Sequence, residues 1–384
     1  MINFSTTLAV PFIISKMKNC FRLSVVKKKC TFSIVILVFF STLLFAQDTI
    51  SKTRFMVLPL IARSIETDWS FGTAISATFK SKDTTIRTSN LQGIALYSIK
   101  KQFVVALNGT HYFPKEKSIL SFQISFSSFP DKFWGLGPDS KNSDEENYDF
   151  TQLYSNVHLQ KKISKKVYLG AIFDRQKLIK LSYLPGGIFD QSGLPGKNGY
   201  LVMGLGTSIT HDNRNHAFAP TKGIFVQSSV TFYNSTFGSD FKYTNYIFDI
   251  RKYVSLNKHV VNATQVFLFI NEGEKVPLRS LATFGGSNSM RGFYSGRFRD
   301  RNQFVLQNEL RFGVYKRLAA VAFAGIGSVA PSVSKLSLIN DMKFSVGGGL
   351  RYALIPSEKL NIRIDYGIGI NYSKGLYIQV AEAF

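Results

Sequence analysis

The stretch Asn361-Ile362-Arg363-Ile364-Asp365-Tyr366-Gly367-Ile368-Gly369-Ile370 decides the fold. Every second residue is apolar, and the residues between them are polar or glycine. Side chains of a β-strand alternate between its two faces, so this pattern gives one fully apolar face and one polar face. Such a strand packs against a second sheet in a soluble sandwich, or faces lipid on one side and a lumen on the other in a membrane barrel.

The same alternation recurs along the chain and predicts sixteen strands. Their ranges are 54–63, 69–80, 90–99, 102–113, 117–128, 148–161, 165–178, 200–211, 222–234, 240–253, 257–271, 303–315, 317–329, 341–354, 358–370 and 374–384. An even number is the rule for single-chain bacterial barrels. No run of about 18 apolar residues follows position 53, so no spanning helix is expected there. We predict an all-β fold, a sixteen-stranded antiparallel transmembrane β-barrel over 54–384.

The connections between these strands alternate in length. Tight turns are expected at 114–116, 162–164, 315–317 and 356–357, and long loops at 129–147, 179–199, 272–302 and 330–340. Barrels place short turns in the periplasm and long loops outside. Four connections, at 81–89, 100–101, 212–221 and 371–373, fit this alternation less well.

The first 46 residues have the organisation of a cleaved signal peptide. Lys27, Lys28 and Lys29 precede an apolar run from Phe32 to Phe45, which ends at the small residue Ala46. A membrane anchor is the alternative, but the run is shorter than the roughly 20 residues that span a bilayer. Residues 47–53 then form a short lead into the barrel.

Composition narrows the function further. Both cysteines, Cys20 and Cys30, lie in the signal segment, so the exported chain has no thiol for a disulfide, a zinc site or catalysis. The net charge is +23, and without the leader 41 basic and 24 acidic residues leave +17. Export excludes nucleic acid as the partner. The charge therefore predicts contact with anionic headgroups of outer-membrane lipids, or an electropositive lumen.

Signals for catalysis, metals or cofactors are weak. His211 and His216 lie five residues apart, which does not match a helical metal pair. The acidic run 143–146 lacks the ligand spacing of a calcium loop, and no Gly-x-Ser-x-Gly elbow occurs. We predict no enzyme activity, no catalytic residues, no metal and no cofactor.

One long loop carries a distinctive motif. Residues 284–293 read Phe-Gly-Gly-Ser-Asn-Ser-Met-Arg-Gly-Phe, with Gly285 and Gly286 before the tip Arg291-Gly292-Phe293. Paired glycines permit backbone conformations that other residues adopt at a cost. The segment is suited to placing one guanidinium at a defined position, although an exposed arginine in an ordinary glycine-rich loop is the simpler alternative.

This loop resembles the inward-folded loop of the Omp85 superfamily, the BamA/TamA-like outer-membrane barrels also called bacterial surface antigen D15. In that family an Arg-Gly-Phe or Arg-Gly-Tyr tip folds into the barrel lumen. Further segments resemble the family in the same order, namely 133–139, 212–223, 308–312, 347–351 and 363–366. The resemblance extends over about 54–384.

The resemblance implies a carboxylate partner for the loop arginine. Alternation places Glu309 on the lumen face of its strand, so we expect an Arg291–Glu309 pair. The family's second carboxylate comes from a Phe-x-Asp-x-Gly strand, but here Gly325 takes the place of the aspartate. Asp365 is the lumen carboxylate best placed to substitute.

The resemblance also implies a function. The alternating end from Tyr377 to Phe384 is similar to the C-terminal signal by which outer-membrane barrels are inserted. The expected role is a subunit in outer-membrane protein insertion or translocation in a Gram-negative bacterium, with assembly proteins or client barrels as partners. The lead 47–53 leaves no room for the family's POTRA domains. A passive or plugged pore is the alternative, and a lipid-acting barrel enzyme is a third.

Overall fold

The structure, a computed structural model, describes residues 53–79, 86–216, 219–336, 341–356, 360–370 and 373–384. The predicted signal peptide, and all of the lead before Thr53, lie outside these residues. Within the described ranges, no helix has both the length and the apolar character needed to cross a membrane.

The described strands confirm the predicted fold. They are β1 Thr53–Ser64, β2 Asp68–Phe79, β3 Ser89–Ser98, β4 Phe103–Tyr112, β5 Ser118–Phe133, β6 Glu146–Ser164, β7 Val167–Ser182, β8 Tyr200–Asp212, β9 Gly223–Tyr233, β10 Tyr243–Ser255, β11 Val260–Glu272, β12 Ala282–Phe284, β13 Phe298–Asp300, β14 Asn302–Tyr315, β15 Leu318–Ala330, β16 Lys343–Ile355, β17 Leu360–Gly369 and β18 Lys374–Val380. All except β12 and β13 close into one antiparallel barrel of sixteen strands. The short pair β12–β13 forms a separate two-stranded sheet inside the loop between β11 and β14.

In the described ranges, the helical elements are single turns in the connections. One α-helical turn spans Ile188–Gln191, and 3₁₀ turns span Pro114–Glu116, Asn142–Asp144, Ser235–Phe237, Leu278–Ser280 and Val333–Lys335.

The alternation of β17 separates its two faces as the sequence predicts. Ile364, Tyr366 and Ile368 are 44–45% exposed on the outside of the barrel, whereas Arg363 and Asp365 are at most 1% exposed on the inside. An exposed apolar face of this kind suits hydrocarbon, because lipid covers it in a membrane barrel.

Three strands run farther than predicted at the end of the barrel that carries the long loops, here called the external end. β5 continues to Phe133, β6 begins at Glu146 and β7 continues to Ser182, which shortens the loop expected at 129–147 to 134–145. An apolar cluster inside the external mouth packs against these extensions. Its buried members are Phe133, Tyr148, Phe150, Leu178, Phe189, Leu194, Tyr200, Val202, Tyr233, Tyr243, Val276, Leu278 and Leu281.

The last strand is shorter than predicted. It ends at Val380 rather than at Phe384, because Ala381 adopts a left-handed conformation with φ of +71° and donates its N–H to the Asn361 carbonyl at 2.8 Å. The chain then turns into the barrel, where Phe384 packs with Tyr253 and Ala263.

The barrel closes through a weak seam. β1 and β18 pair at one position, Arg63 with Ile378. The ladders between the other neighbouring strands are longer. The shortest joins Ile362–Ile368 of β17 to β18, and the longest spans the whole of β5 against β6. The seam is therefore the least hydrogen-bonded contact of the barrel wall in the described residues.

Candidate functional site

The loop that connects β11 to β14 folds inward and fills part of the lumen. Its hairpin β12–β13 presents a tip that contains Arg291 and Phe293, each 2% exposed. Met290 and Phe293 pack with Phe284 and Phe298 of the hairpin. The tip is thus a buried part of the molecule and not a surface loop.

Glycine at the tip is required by close contact with β17. Gly292 has a φ of +113°, and a Cβ there would lie 2.7 Å from the backbone nitrogen of Gly369. On the strand side, a Cβ at Gly367 would lie 2.5 Å from the Arg291 carbonyl carbon. The glycines that alternate along the lumen face of β17 therefore form the seat on which the tip lies.

Arg291 bridges two carboxylates on separate strands. Its Nη2 donates to Glu309 Oε1 of β14 at 2.5 Å, and its Nη1 donates to Asp365 Oδ2 of β17 at 2.6 Å. The guanidinium also lies over the Phe323 ring, 3.6 Å from its centroid. A planar group with forked donors suits two acceptors and an aromatic face at once.

Three further arginines surround the same carboxylates. Arg311 Nε donates to Glu309 at 2.8 Å. Arg351 and Arg363 donate to Asp365 at 2.5 and 3.0 Å, and Arg351 also pairs with Glu382 at 2.9 Å. Four arginines and three carboxylates leave this network one positive charge in excess. Buried charges need such partners because desolvation of each unpaired ion costs several kcal/mol.

Side chains of β17, of β18 and of Ser373 between them bind the main chain of the loop. Tyr377 accepts a hydrogen bond from the Gly292 N–H at 3.0 Å and donates its hydroxyl to the Phe293 carbonyl at 3.1 Å. Ser373 donates to the Gly292 carbonyl at 2.7 Å. Arg363 donates to the Ser287 carbonyl at 2.7 Å. The loop is bound through its main chain as well as through Arg291.

The base of the loop is held at the external end. The Ser295 N–H donates to Glu66 in the β1–β2 turn at 2.6 Å, and Tyr294 donates to Asp131 at 3.1 Å. Burial raises the pKa of the Glu66 carboxyl above its ordinary value.

The structure brings Arg291, Glu309 and Asp365 together as the sequence predicts, while their part in function stays a prediction. Gly325, where the family has an aspartate, instead leaves room for the loop: a Cβ there would lie 3.0 Å from Met290 Sδ. Sequence reasoning missed Arg351 as a partner of Asp365. The alternation of β16 could have found it, because it places Arg351 on the lumen face.

Tyr377 and Phe384, the predicted insertion signal, both turn toward the interior, with 0% and 7% exposure. Tyr377 touches the loop tip, and Phe384 accepts a hydrogen bond from Arg311 at its carbonyl, at 3.2 Å. Their role as a signal stays a prediction. Within the described ranges, no group of three or more His, Cys, Asp or Glu residues could hold a metal ion.

A family model described as the Omp85 superfamily domain matches residues 92–380, which is most of the chain. The chain belongs to the Omp85 superfamily. The predicted resemblance is confirmed, and an Omp85 barrel fold implies the outer membrane of a Gram-negative bacterium. No curated protein matches the chain.

Solved structures of Omp85-like barrels share the fold. BamA from Haemophilus ducreyi lacking POTRA domains 1–3 is 15% identical with a TM-score of 0.55, and the match covers 86% of this chain and 70% of that one. CdiB from Acinetobacter baumannii is 11% identical with a TM-score of 0.54, covering 87% and 60%. CdiB from Escherichia coli is 12% identical with a TM-score of 0.56, covering 87% and 63%. At these identities the likeness establishes the fold alone.

Proposed function

We propose that this Omp85-family barrel is a subunit that inserts or translocates other proteins at the outer membrane, working with assembly proteins and client barrels. The observation that supports this role is the seam, where β1 and β18 pair only between Arg63 and Ile378. An unpaired strand edge is a template for β-strand addition. The edge of β1 from Phe55 to Ala62 has no second strand neighbour among the described residues, so an incoming strand can pair there.

A plugged pore or structural barrel is the second candidate, and the loop favours it. Its tip is held by two ion pairs of Arg291 and by hydrogen bonds of the Gly292 main chain to the side chains of Tyr377 in β18 and Ser373 just before it. A loop fixed in this way narrows the lumen and opposes free diffusion. The two candidates differ in the seam: protein insertion needs it to open, and a plugged barrel does not.

Sealing the seam tests the proposal. Arg63→Cys with Ile378→Cys joins the paired residues, since directly opposed strand residues lie at disulfide distance. Leu350→Cys with Ile364→Cys is the matched control, an equivalent lipid-facing pair within the β16–β17 ladder. Each variant replaces the depleted native protein in its own bacterium, and the levels of other outer-membrane barrels are measured by mass spectrometry.

We expect depletion to lower several other barrels. The control variant should restore them, and the seam variant should restore them only under reducing conditions. Unchanged barrel levels on depletion, or full restoration by the oxidised seam variant, would contradict an insertion role and favour the plugged barrel. In-cell crosslinking followed by a gentle-detergent pull-down then identifies any partner trapped at the seam.

A further inference from the structure

A row of basic side chains faces outward on the external half of β7. It consists of Arg175, Lys177 and Lys180. Asp174 and Gln176 between them are buried and hydrogen-bond to lumen residues, so alternation places Arg175 and Lys177 on the opposite, lipid-facing side. A bulge keeps Lys180 on that side, because Leu178 and Lys180 pair with consecutive residues of β6.

The row lies near the external boundary of the membrane. Leu169, Ala171 and Phe173 continue the same face toward the periplasmic turn and are apolar. From Leu169 to Lys177, the rise and tilt of a barrel strand span about 20 Å. The apolar band of an outer-membrane barrel is about 25 Å tall, so the row reaches the level where headgroups of the outer leaflet begin.

No described residue neutralises this row. The side chains of Arg175, Lys177 and Lys180 form no ion pair or hydrogen bond within the described part of the chain. The strand neighbours of Arg175 and Lys177 are uncharged, namely Ser155, Leu153, Met203 and Leu201. The nearest acid on the same face of β6 is Asp149, which pairs with Ser182 one step farther out. Three cations that lie unpaired at a lipid boundary attract an anion there.

An open groove lies directly above the row. Its volume is about 480 Å³, and its lining includes Lys180, Tyr183, Pro185, Lys197 and Asn198. Lys197 forms an ion pair with Asp190 at 2.9 Å, which leaves Lys180 as the unpaired cation of the groove. A wall of amide, hydroxyl and ring groups suits a sugar, because a sugar presents hydroxyls to polar atoms and a flat face to an aromatic ring.

We propose that this surface binds a phosphate-bearing glycolipid of the outer leaflet. Arg175, Lys177 and Lys180 bind the phosphate through charge-assisted hydrogen bonds, and the groove receives the sugar. The acyl chains lie along the apolar side chains of Leu201 and Met203. The binding depends on the position of β7 in the membrane and not on the protein-insertion role.

The test uses the purified barrel in dodecyl maltoside, titrated with lipid A that carries both phosphates and, separately, with lipid A stripped of phosphate. Native mass spectrometry counts the lipids that stay bound. The variant is Arg175→Gln with Lys177→Gln and Lys180→Gln. The control, Lys161→Gln with Lys165→Gln and Lys166→Gln, removes the same charge at the periplasmic end of the same hairpin.

We expect the wild type and the control to retain phosphorylated lipid A, and the β7 variant to bind it at least tenfold more weakly. Lys177→Gln alone should give an intermediate loss, and unheated gel migration verifies that each variant is folded. Equal binding by the β7 variant, or equal retention of the phosphate-free lipid, would overturn the proposal. A protein that binds through these residues in place of lipid A would overturn it too, in favour of an acidic partner.

Discussion

The tip and the base of the lumen loop are anchored by opposite chemistry. At the tip, Arg291 bridges two buried carboxylates within a network of charged side chains. At the base, Leu278 and Leu281 join the aromatic cluster of the external mouth, while Met290 and Phe293 beside the tip arginine share a smaller apolar cluster with Phe284 and Phe298. The same loop therefore passes from an apolar environment to an ionic one.

Membrane geometry explains the difference. Within the hydrocarbon band, each strand turns its apolar face to lipid, so only the polar face remains to hold a loop inside. Beyond the band, the extended ends of β5, β6 and β7 are free to place aromatic residues inward and build a core around the loop base. The tip is held by specific geometry and the base by burial. Substitutions at the two places should therefore differ in how much they lower the free energy of unfolding.

The largest effect is expected from Asp365→Asn. This change leaves Arg291, Arg351 and Arg363 facing one another without their shared carboxylate. Removal of one partner from a buried ion network lowers the free energy of unfolding by about 3–5 kcal/mol. Urea unfolding, followed by unheated gel migration, measures this loss. Glu309→Gln should cost less, because Asp365 stays to compensate. A larger loss for Glu309→Gln would contradict this order.

Arg291→Ala should have the next largest effect. It should lower the free energy of unfolding by about 3 kcal/mol, because it removes both ion pairs and the contact with the Phe323 ring. Arg291→Lys is the matched control, since it keeps the charge but cannot donate to both carboxylates in the same fork. Its loss should be intermediate. Unchanged unheated migration and unchanged surface level for the alanine variant would show that the tip needs no arginine.

Gly292→Ala should lower the free energy of unfolding by about 2 kcal/mol. The loss combines the strain of a left-handed backbone with a steric clash against β17. Gly186→Ala separates the two contributions, because Gly186 also has a positive φ, +76°, but no atom within 4 Å of an added Cβ. Urea unfolding of both variants measures the difference. Equal losses of unfolding free energy in the two variants would mean that the tip is not in close contact with the strand.

The smallest effect is expected at the base, from Glu66→Gln. Burial raises the pKa of Glu66 above 4.5, so the folded barrel favours the protonated carboxyl. The stability gained from protonation is present below pH 4.5. It is lost as the pH rises through the raised pKa of Glu66 in the folded barrel. Acidification from pH 7 should therefore stabilise the wild type relative to Glu66→Gln. Parallel pH profiles of the unfolding midpoint would rule out this contribution.

The fold and much of the loop site were predictable because both depend on a period of two. Alternation in 361–370 assigns Arg363 and Asp365 to the lumen, and the paired glycines mark the tip. The end of the last strand was not predictable in this way. Alternation continues formally past Val380, but Ala381 turns left-handed and the ion pair of Glu382 with Arg351 draws the segment inside.

The sequence by itself determined which face most strand residues occupy, that the barrel has sixteen strands, and that one loop carries a positioned arginine. These features are local, since steric alternation along the chain fixes them. The tertiary structure alone decided that Tyr377 binds the loop tip at Gly292, 85 residues away, and that β1 meets β18 at one position. Such contacts depend on the closure and relative register of the whole barrel, which no local pattern encodes.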